Sequence, residues 1–285
     1  MIPSIHQNPL LRGIYIAYVA LFFIYLAAPL LVVAAFAFND SLFPSLPWNG
    51  FTLDWFFNPT EPRLGLFHET PILKSIGISL LVAFWVTVLA VTVGTSSAFL
   101  FEREDFPFKN VLYLLMLMPL VVPGIILGIS ILVLSSNVAN FVEELTGYDI
   151  EPLRPGLTLV ILGQFSFIAT ISTLVISARL KKFDITLEEA ALNLGATRWS
   201  AVWTITIPYL APAMVGAGIV AFLMSFENFN TTLMLSGSDA PLTITMFDRL
   251  KEGSTPVLNA VSLLLMLASS VLALISIMMQ RERKE

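Results

Sequence analysis

Long charge-free apolar runs constrain this chain more than any other feature. The segment Ile14 to Phe38 holds 25 consecutive residues without an Asp, Glu, Lys or Arg, and several later runs reach 22 or more. A helix needs about 20 apolar residues to cross a hydrocarbon core of roughly 30 Å. Apolar residues make up 56% of the chain and charged residues 12%, against about 45–50% and 25% for an ordinary soluble domain. That balance points to an all-α membrane protein.

Hydropathy divides the chain into six expected transmembrane helices, at about 14–38, 75–100, 110–134, 157–178, 209–235 and 257–279. The fifth is interrupted by the polar stretch SFENFN. Ala35-Phe36-Ala37 has the small residues of a signal-peptide cleavage site, but the 25-residue run before it exceeds the roughly 7–15 of a signal core. It reads as a retained first span. No internal repeat or low-complexity tract stands out, so residues 1–285 are expected to form a single membrane domain.

The distribution of Lys and Arg sets the expected orientation, whereas the net charge of −5 does not. With six spans, the termini and loops 2–3 and 4–5 share one side. That side carries Arg12, Arg103, Lys109, Arg179, Lys181, Lys182, Arg198, Arg281, Arg283 and Lys284; the other carries Arg63, Lys74, Arg154, Arg249 and Lys251. The richer side is the cytoplasmic one. Both termini and the loop between spans four and five are therefore expected in the cytoplasm. On the opposite side, residues 39–72 hold Pro44, Pro47, Pro59, Pro62 and Pro71 with Trp48 and Trp55. Prolines break regular structure and tryptophans favour the membrane interface, so a packed outer loop is expected.

The cytoplasmic loop 184–208 is polar, helical in pattern and broken by glycine. Thr186 and Glu189 have the spacing of a capping box, which satisfies free N–H groups at a helix start. Leu187, Ala190, Ala191 and Leu194 then share a face, and Gly195 stands where a helix stops in a left-handed conformation. A second amphipathic run places Trp199, Val202, Trp203 and Thr206 on one face, before Pro208 and Pro212. Each feature alone fits any helix-turn-helix connector.

Together, Glu189-Ala190-Ala191, Gly195 and the Ile205-x-Ile207-Pro208 ending resemble the EAA loop of permeases in binding-protein-dependent ABC importers. Ile207 stands where that family usually has leucine. The resemblance covers most of spans two to six and implies the type I importer permease fold. It implies that Glu189, Ala190, Ala191 and Gly195 form a coupling helix docking on an ATPase. It further implies two ATPase subunits that bind ATP and magnesium, a second, different permease, a periplasmic or extracellular substrate-binding protein, no cofactor in this chain, and a place in the bacterial cytoplasmic (inner) membrane. MPLVVPGIILGIS at 118–130 and SFENFNTTLMLSG at 225–237 resemble the polyamine (spermidine/putrescine) branch.

Glu227 is the only ionisable residue inside the six spans as drawn. A helix starting near Tyr209 carries it roughly 27 Å, into the outer half of the membrane. A carboxylate there is costly unless it meets water or a partner. Asn230 and Thr231 follow at three and four residues, on the same face if the helix continues, and Phe226 and Phe229 flank it. Carboxylates and aromatic faces suit the ammonium groups of a polyamine, which makes Phe226, Glu227, Asn230 and Thr231 candidates for the substrate path. The alternative places Glu227 at the interface or against a neighbouring subunit. Pro119 to Gly124 either bends span three during gating or shapes a static wall.

Other classes fit less well. Cysteine is absent, and His6 and His68 are too far apart in sequence for a metal-ligand motif. No GxxxxGK[ST] loop is present, so nucleotide chemistry is assigned elsewhere. The spans lack a nucleophile–base or metal-ligand constellation, and nothing points to nucleic acid. An ion-coupled secondary transporter would leave the cytoplasmic loop unexplained. Iron, sulfate and thiamine remain alternative cargoes to polyamines.

Overall fold

The computed structural model describes residues 9–253 and 255–281, all of it helical apart from turns and one isolated bridge between Asn39 and Phe51. His6, Arg283 and Lys284 lie outside the described residues, as does the immediate environment of both termini. The helices in chain order are α1 (Pro9–Phe36), α2 (Asp54–Phe57), α3 (Thr70–Arg103), α4 (Lys109–Val121), α5 (Gly124–Thr146), α6 (Leu157–Leu180), α7 (Thr186–Asn193), α8 (Arg198–Ala201), α9 (Ile207–Phe226), α10 (Asn230–Leu235), α11 (Leu242–Glu252) and α12 (Pro256–Arg281). A π turn, Val202–Thr206, joins α8 to α9. Among the described residues, six stretches are long and apolar enough to span a membrane: α1, α3, α5, α6, α8 through α9, and α12 over Pro256–Leu274.

Two compact units divide the chain. The smaller contains the residues up to Thr70 with Arg249–Ala268. In it no residue of α1 is buried, a condition that lipid tolerates because its tails are as apolar as leucine. The proline-rich segment after α1 is packed. Asn39 is fully buried, accepting a hydrogen bond from Asn49 N–H at 3.0 Å and donating to Ser45 O at 3.1 Å. Trp55 is also buried, and its indole N–H donates to Asn39 O at 2.8 Å. Arg63 pairs with Asp40 and, at 3.3 Å, with Asp54.

The larger unit runs from Pro71 to Asp248 and resumes at Ser269. Its centre is α6, the most buried span, which packs on α9, α10, α4 and α5. Val82, Val86 and Ala90 of α3 meet Leu159, Val160 and Ile168 of α6, Ala221 of α9 and Leu235 of α10 in one core. A second core joins Ala98, Ile176, Leu180, Leu210 and Ala217. Helices in lipid associate through close packing of small residues. Gly94 of α3 is such a contact: a methyl group there would come within 2.8 Å of Ser172 Cβ and 3.0 Å of the Thr173 backbone nitrogen on α6.

Two expected spans are corrected. The third, expected at 110–134, is two helices. Pro119 lies inside α4 without stopping it, whereas Pro123 ends the helical run by forcing Val122 into an extended conformation (φ −74°, ψ 128°). Thirteen residues of α4 cover only about 20 Å, so the long apolar helix is α5, which continues through Ser135, Asn137, Asn140 and Glu143 to Thr146. The fifth, expected at 209–235, starts earlier, being continuous with α8 from Arg198, and ends at Phe226. Residues 227–229 are non-helical and α10 follows. The amphipathic α11 is an additional helix outside the six expected spans.

Candidate functional site

The loop after α6 builds its first helix differently from a capping box. Asp184, not Thr186, starts α7: its Oδ1 accepts hydrogen bonds from the Thr186 hydroxyl at 2.8 Å and the Thr186 N–H at 3.0 Å. Those bonds hold the Asp184 carboxyl below its ordinary pKa. Thr186 is thereby a donor to the carboxylate two residues before it, and the N-cap position, Ile185, offers no side-chain cap. The expected stop at Gly195 does form. Gly195 has φ +89°, Gly195 N–H bonds Leu192 O at 2.9 Å and Ala196 N–H bonds Ala191 O at 3.0 Å. This pair of bonds is a Schellman motif.

After that stop, Thr197 caps α8 by accepting from Ser200 N–H at 3.2 Å. Trp199 and Trp203 stack at 6.5 Å and stay largely exposed. Thr206, expected on their face, is instead fully buried. The π turn explains this, because i→i+5 bonding adds a residue per turn and shifts every later side chain around the axis.

On α7, Leu187, Glu189 and Ala190 are exposed, Ala191 is half-buried, and Leu194 at 90% exposure is among the barest apolar residues in the chain. Glu189 has no ion-pair partner among the described residues. Its neighbour Glu188 is turned inward: Oε1 lies 3.3 Å from Arg103 Nη2 at the end of α3 and accepts from the buried Thr206 hydroxyl. The sequence pattern drew attention to Glu189 and passed over Glu188. No local sequence signal separates the two adjacent carboxylates, because Glu188 is turned inward by Arg103 and Thr206, which are distant in the chain.

The second candidate group surrounds the break in the fifth span. Glu227 is exposed and caps the C-terminus of α9 (φ −88°, ψ −1°). The expectation that Asn230 and Thr231 share its helical face is corrected, because the chain leaves the helix between them. Asn230 is exposed, while Thr231 is fully buried and its hydroxyl donates to Gly124 O at 3.3 Å. Phe226 is half-buried and stacks on Phe222 at 6.1 Å; Phe229 packs edge-on against Phe247 at 4.8 Å.

Buried polar groups fix this break. Gln164 of α6 donates to Thr232 Oγ1 at 2.8 Å and accepts from Ser225 Oγ at 2.5 Å. Thr232 Oγ1 in turn donates to Asn228 Oδ1 at 3.0 Å, and Thr243 Oγ1 donates to Asn228 O at 3.0 Å. Asn228 thus diverts the backbone through its side chain, as asparagine does where helices break. Glycines on α5 admit α10: a methyl group on Gly124 would stand 3.1 Å from Asn230 Cβ, and one on Gly128 3.0 Å from Met234 Cβ.

Residues 90–281 match the family of binding-protein-dependent transport system inner membrane components, and the chain belongs to that family. It is an ABC importer permease and not itself the ATPase. It is 28% identical over 266 residues to the putrescine transport system permease protein PotI of Escherichia coli K12, covering 92% of this chain and 89% of the relative. The spermidine/putrescine permease PotC of Haemophilus influenzae is 25% identical over 267 residues (93% and 96% covered). The sulfate permease CysT of E. coli K12 is 29% identical over 204 residues (70% and 73%). Among solved structures, a bacterial ABC transporter that imports alginate superposes with a TM-score of 0.76 at 17% identity, covering 97% and 96% of the two chains.

Proposed function

We propose that this permease moves polyamines inward, with ATP hydrolysed by two partner subunits that dock on the α7 loop. The observation that carries the cargo assignment is the exposed carboxylate of Glu227, beside Phe226 and Asn230, where the fifth span breaks. A carboxylate with an aromatic neighbour suits an ammonium chain and repels an anion. The likeness to putrescine and spermidine permeases over nearly the whole chain supports the same reading. Thr231, buried against Gly124, acts here by seating α10 rather than by touching cargo.

In this scheme a loaded binding protein docks on the side opposite α7, and Glu189, Ala190, Ala191 and Gly195 form the ATPase contact. Closure of the ATPases moves α7, and the spans alternate between two states that must bind the loaded binding protein and ATP differently. The excess of Lys and Arg on the α7 side supports placing that side in the cytoplasm. A second, different permease completes the path. The sulfate permease relative keeps an anion as the competing cargo.

The deciding experiment is uptake of labelled putrescine, spermidine and sulfate by vesicles holding the assembled transporter. Polyamine uptake is expected, with Glu227→Gln reducing it at least 10-fold while the complex still assembles. Sulfate uptake, or unchanged polyamine uptake by Glu227→Gln, would overturn the cargo assignment.

A further inference from the structure

We propose that Glu188 is the positioning residue that carries movement of α7 into the fifth span, with the π turn Val202–Thr206 as the joint. The proposal rests on the reading of α7 as the ATPase-facing helix.

Three elements meet at this one carboxylate. Glu188 belongs to α7, Arg103 to the last turn of α3, and Thr206 to the last position before α9. Glu188 Oε1 serves both partners, 3.3 Å from Arg103 Nη2 and hydrogen-bonded by the Thr206 hydroxyl. The Glu188 and Arg103 side chains are only 17% and 20% exposed and Thr206 is wholly buried, so water competes weakly for these bonds. Arg103 also lies over the Phe183 ring at 5.3 Å, and Phe183 packs edge-on against Tyr209 at 5.1 Å in the first turn of α9. Arg179, from the last turn of α6, lies over the Tyr209 ring at 4.2 Å. A displacement of α7 therefore pulls directly on the ends of α3 and α9.

The segment that receives the pull is suited to yield. A π turn is a rare interruption of α-helix, frequent at functional sites, and it departs here from the i→i+4 bonding of the helices on either side. It has room to yield. A groove of about 640 Å³ opens beside it, lined on one wall by Thr92, Ser96 and Phe99 of α3 and on the other by Trp199 and Trp203. Glu189, one residue away, is bare and makes no such link, so the two adjacent carboxylates divide the work. Glu189 faces the ATPase and Glu188 faces the permease's own spans.

The test uses the whole transporter, reconstituted in lipid with its ATPase, second permease and binding protein. Substrate moved per ATP hydrolysed is measured alongside ATPase retention on the purified complex. Glu188→Gln and Thr206→Val are expected to retain the ATPase, to lower transport per ATP at least 10-fold, and to make hydrolysis insensitive to the loaded binding protein. Thr206→Ser, which keeps the hydroxyl, should remain coupled, and the exchange Glu188→Arg with Arg103→Glu should recover part of the loss. Wild-type transport per ATP in Glu188→Gln would overturn the proposal, as would equal behaviour of Thr206→Val and Thr206→Ser. Should Glu188→Gln fail to assemble, the Thr206 pair decides alone. Loss of the ATPase from both Glu188→Gln and Thr206→Val would also overturn it, by making Glu188 a docking residue. Gly195→Asp separates the two readings. If it leaves ATPase docking and coupling intact, the α7 assignment itself fails; if it breaks them while Glu188→Gln stays coupled, only the present inference fails.

Discussion

Gln164 on α6 and Thr232 on α10 are joined by a 2.8 Å hydrogen bond, the two side chains being almost fully buried. The amide nitrogen of Gln164 donates that bond, while its amide oxygen accepts from Ser225 Oγ at the end of α9. One glutamine thus holds both ends of the broken fifth span against the central helix. Hydrogen bonds between membrane helices contribute about 0.6 kcal/mol on average, reaching roughly 1.7. Gln164→Leu removes two of them and leaves Ser225 without its acceptor, so a loss of about 1–3 kcal/mol is expected. A detergent-solubilised variant should melt several degrees below wild type. An unchanged melting temperature would show that the break is held by packing alone.

The close approach of α3 and α6 yields a sharper contrast. Gly94→Ala puts a methyl group 2.8 Å from Ser172 Cβ and 3.0 Å from a backbone nitrogen, where no flexible side chain can swing aside. Overpacking of this kind costs about 1–3 kcal/mol. Gly77, on the same helix, has nothing within 4 Å, and Gly77→Ala should be neutral or gain up to about 1 kcal/mol from helix propensity. Thermal unfolding of the two variants side by side checks the difference. Equal behaviour would rule out the tight α3–α6 contact.

These cases show what the amino-acid pattern could and could not reveal. Charge-free runs locate spans because crossing lipid demands length and apolarity together, and α3 and α6 are found where they were expected. A glycine after an amphipathic turn announces its own stop, and Gly195 makes one. Hydropathy is silent about hydrogen bonding, however. It ended the third span at 134, although Ser135, Asn137 and Asn140 continue α5 as a helix. It carried the fifth span through Asn228, whose side chain takes the bonds a helix would need. The choice between Pro119 and Pro123 as breaker, or Glu188 and Glu189 as anchor, depends on tertiary neighbours that no local pattern contains.

Gly195 gives a prediction for the α7 loop. At φ +89° any residue with a Cβ is strained, by about 1–2 kcal/mol for alanine, although open space surrounds the position. Gly195→Ala should weaken the α7 stop modestly. Gly195→Asp adds a charge beside Leu194 and the exposed face of α7, and should release the ATPase from the purified complex while the permease still inserts in the membrane. Retention of the ATPase at wild-type stoichiometry, with uptake unchanged, would refute the docking assignment.

The pair Glu69–Arg249 makes stability depend on pH. Burial raises the Glu69 pKa most; Arg249, in contact with it, lowers it, and the nearby Glu61 raises it again, with a net upward shift. The folded protein therefore holds this proton more tightly than the unfolded chain does. The resulting stabilisation is complete below the ordinary carboxylate pKa of about 4.3 and is lost as pH rises through the higher folded value. Glu69→Gln keeps the side chain neutral at every pH, so its melting temperature should fall less than that of wild type on passing from pH 4 to pH 7. Arg249→Met removes the partner and leaves a mostly buried carboxylate uncompensated. That variant should lose the most stability at neutral pH, about 1–4 kcal/mol given that Arg249 is partly exposed, and should regain part of it in acid. Melting curves of all three proteins across that range test the assignment. A slope in Glu69→Gln as steep as in wild type would mean that another group carries the dependence.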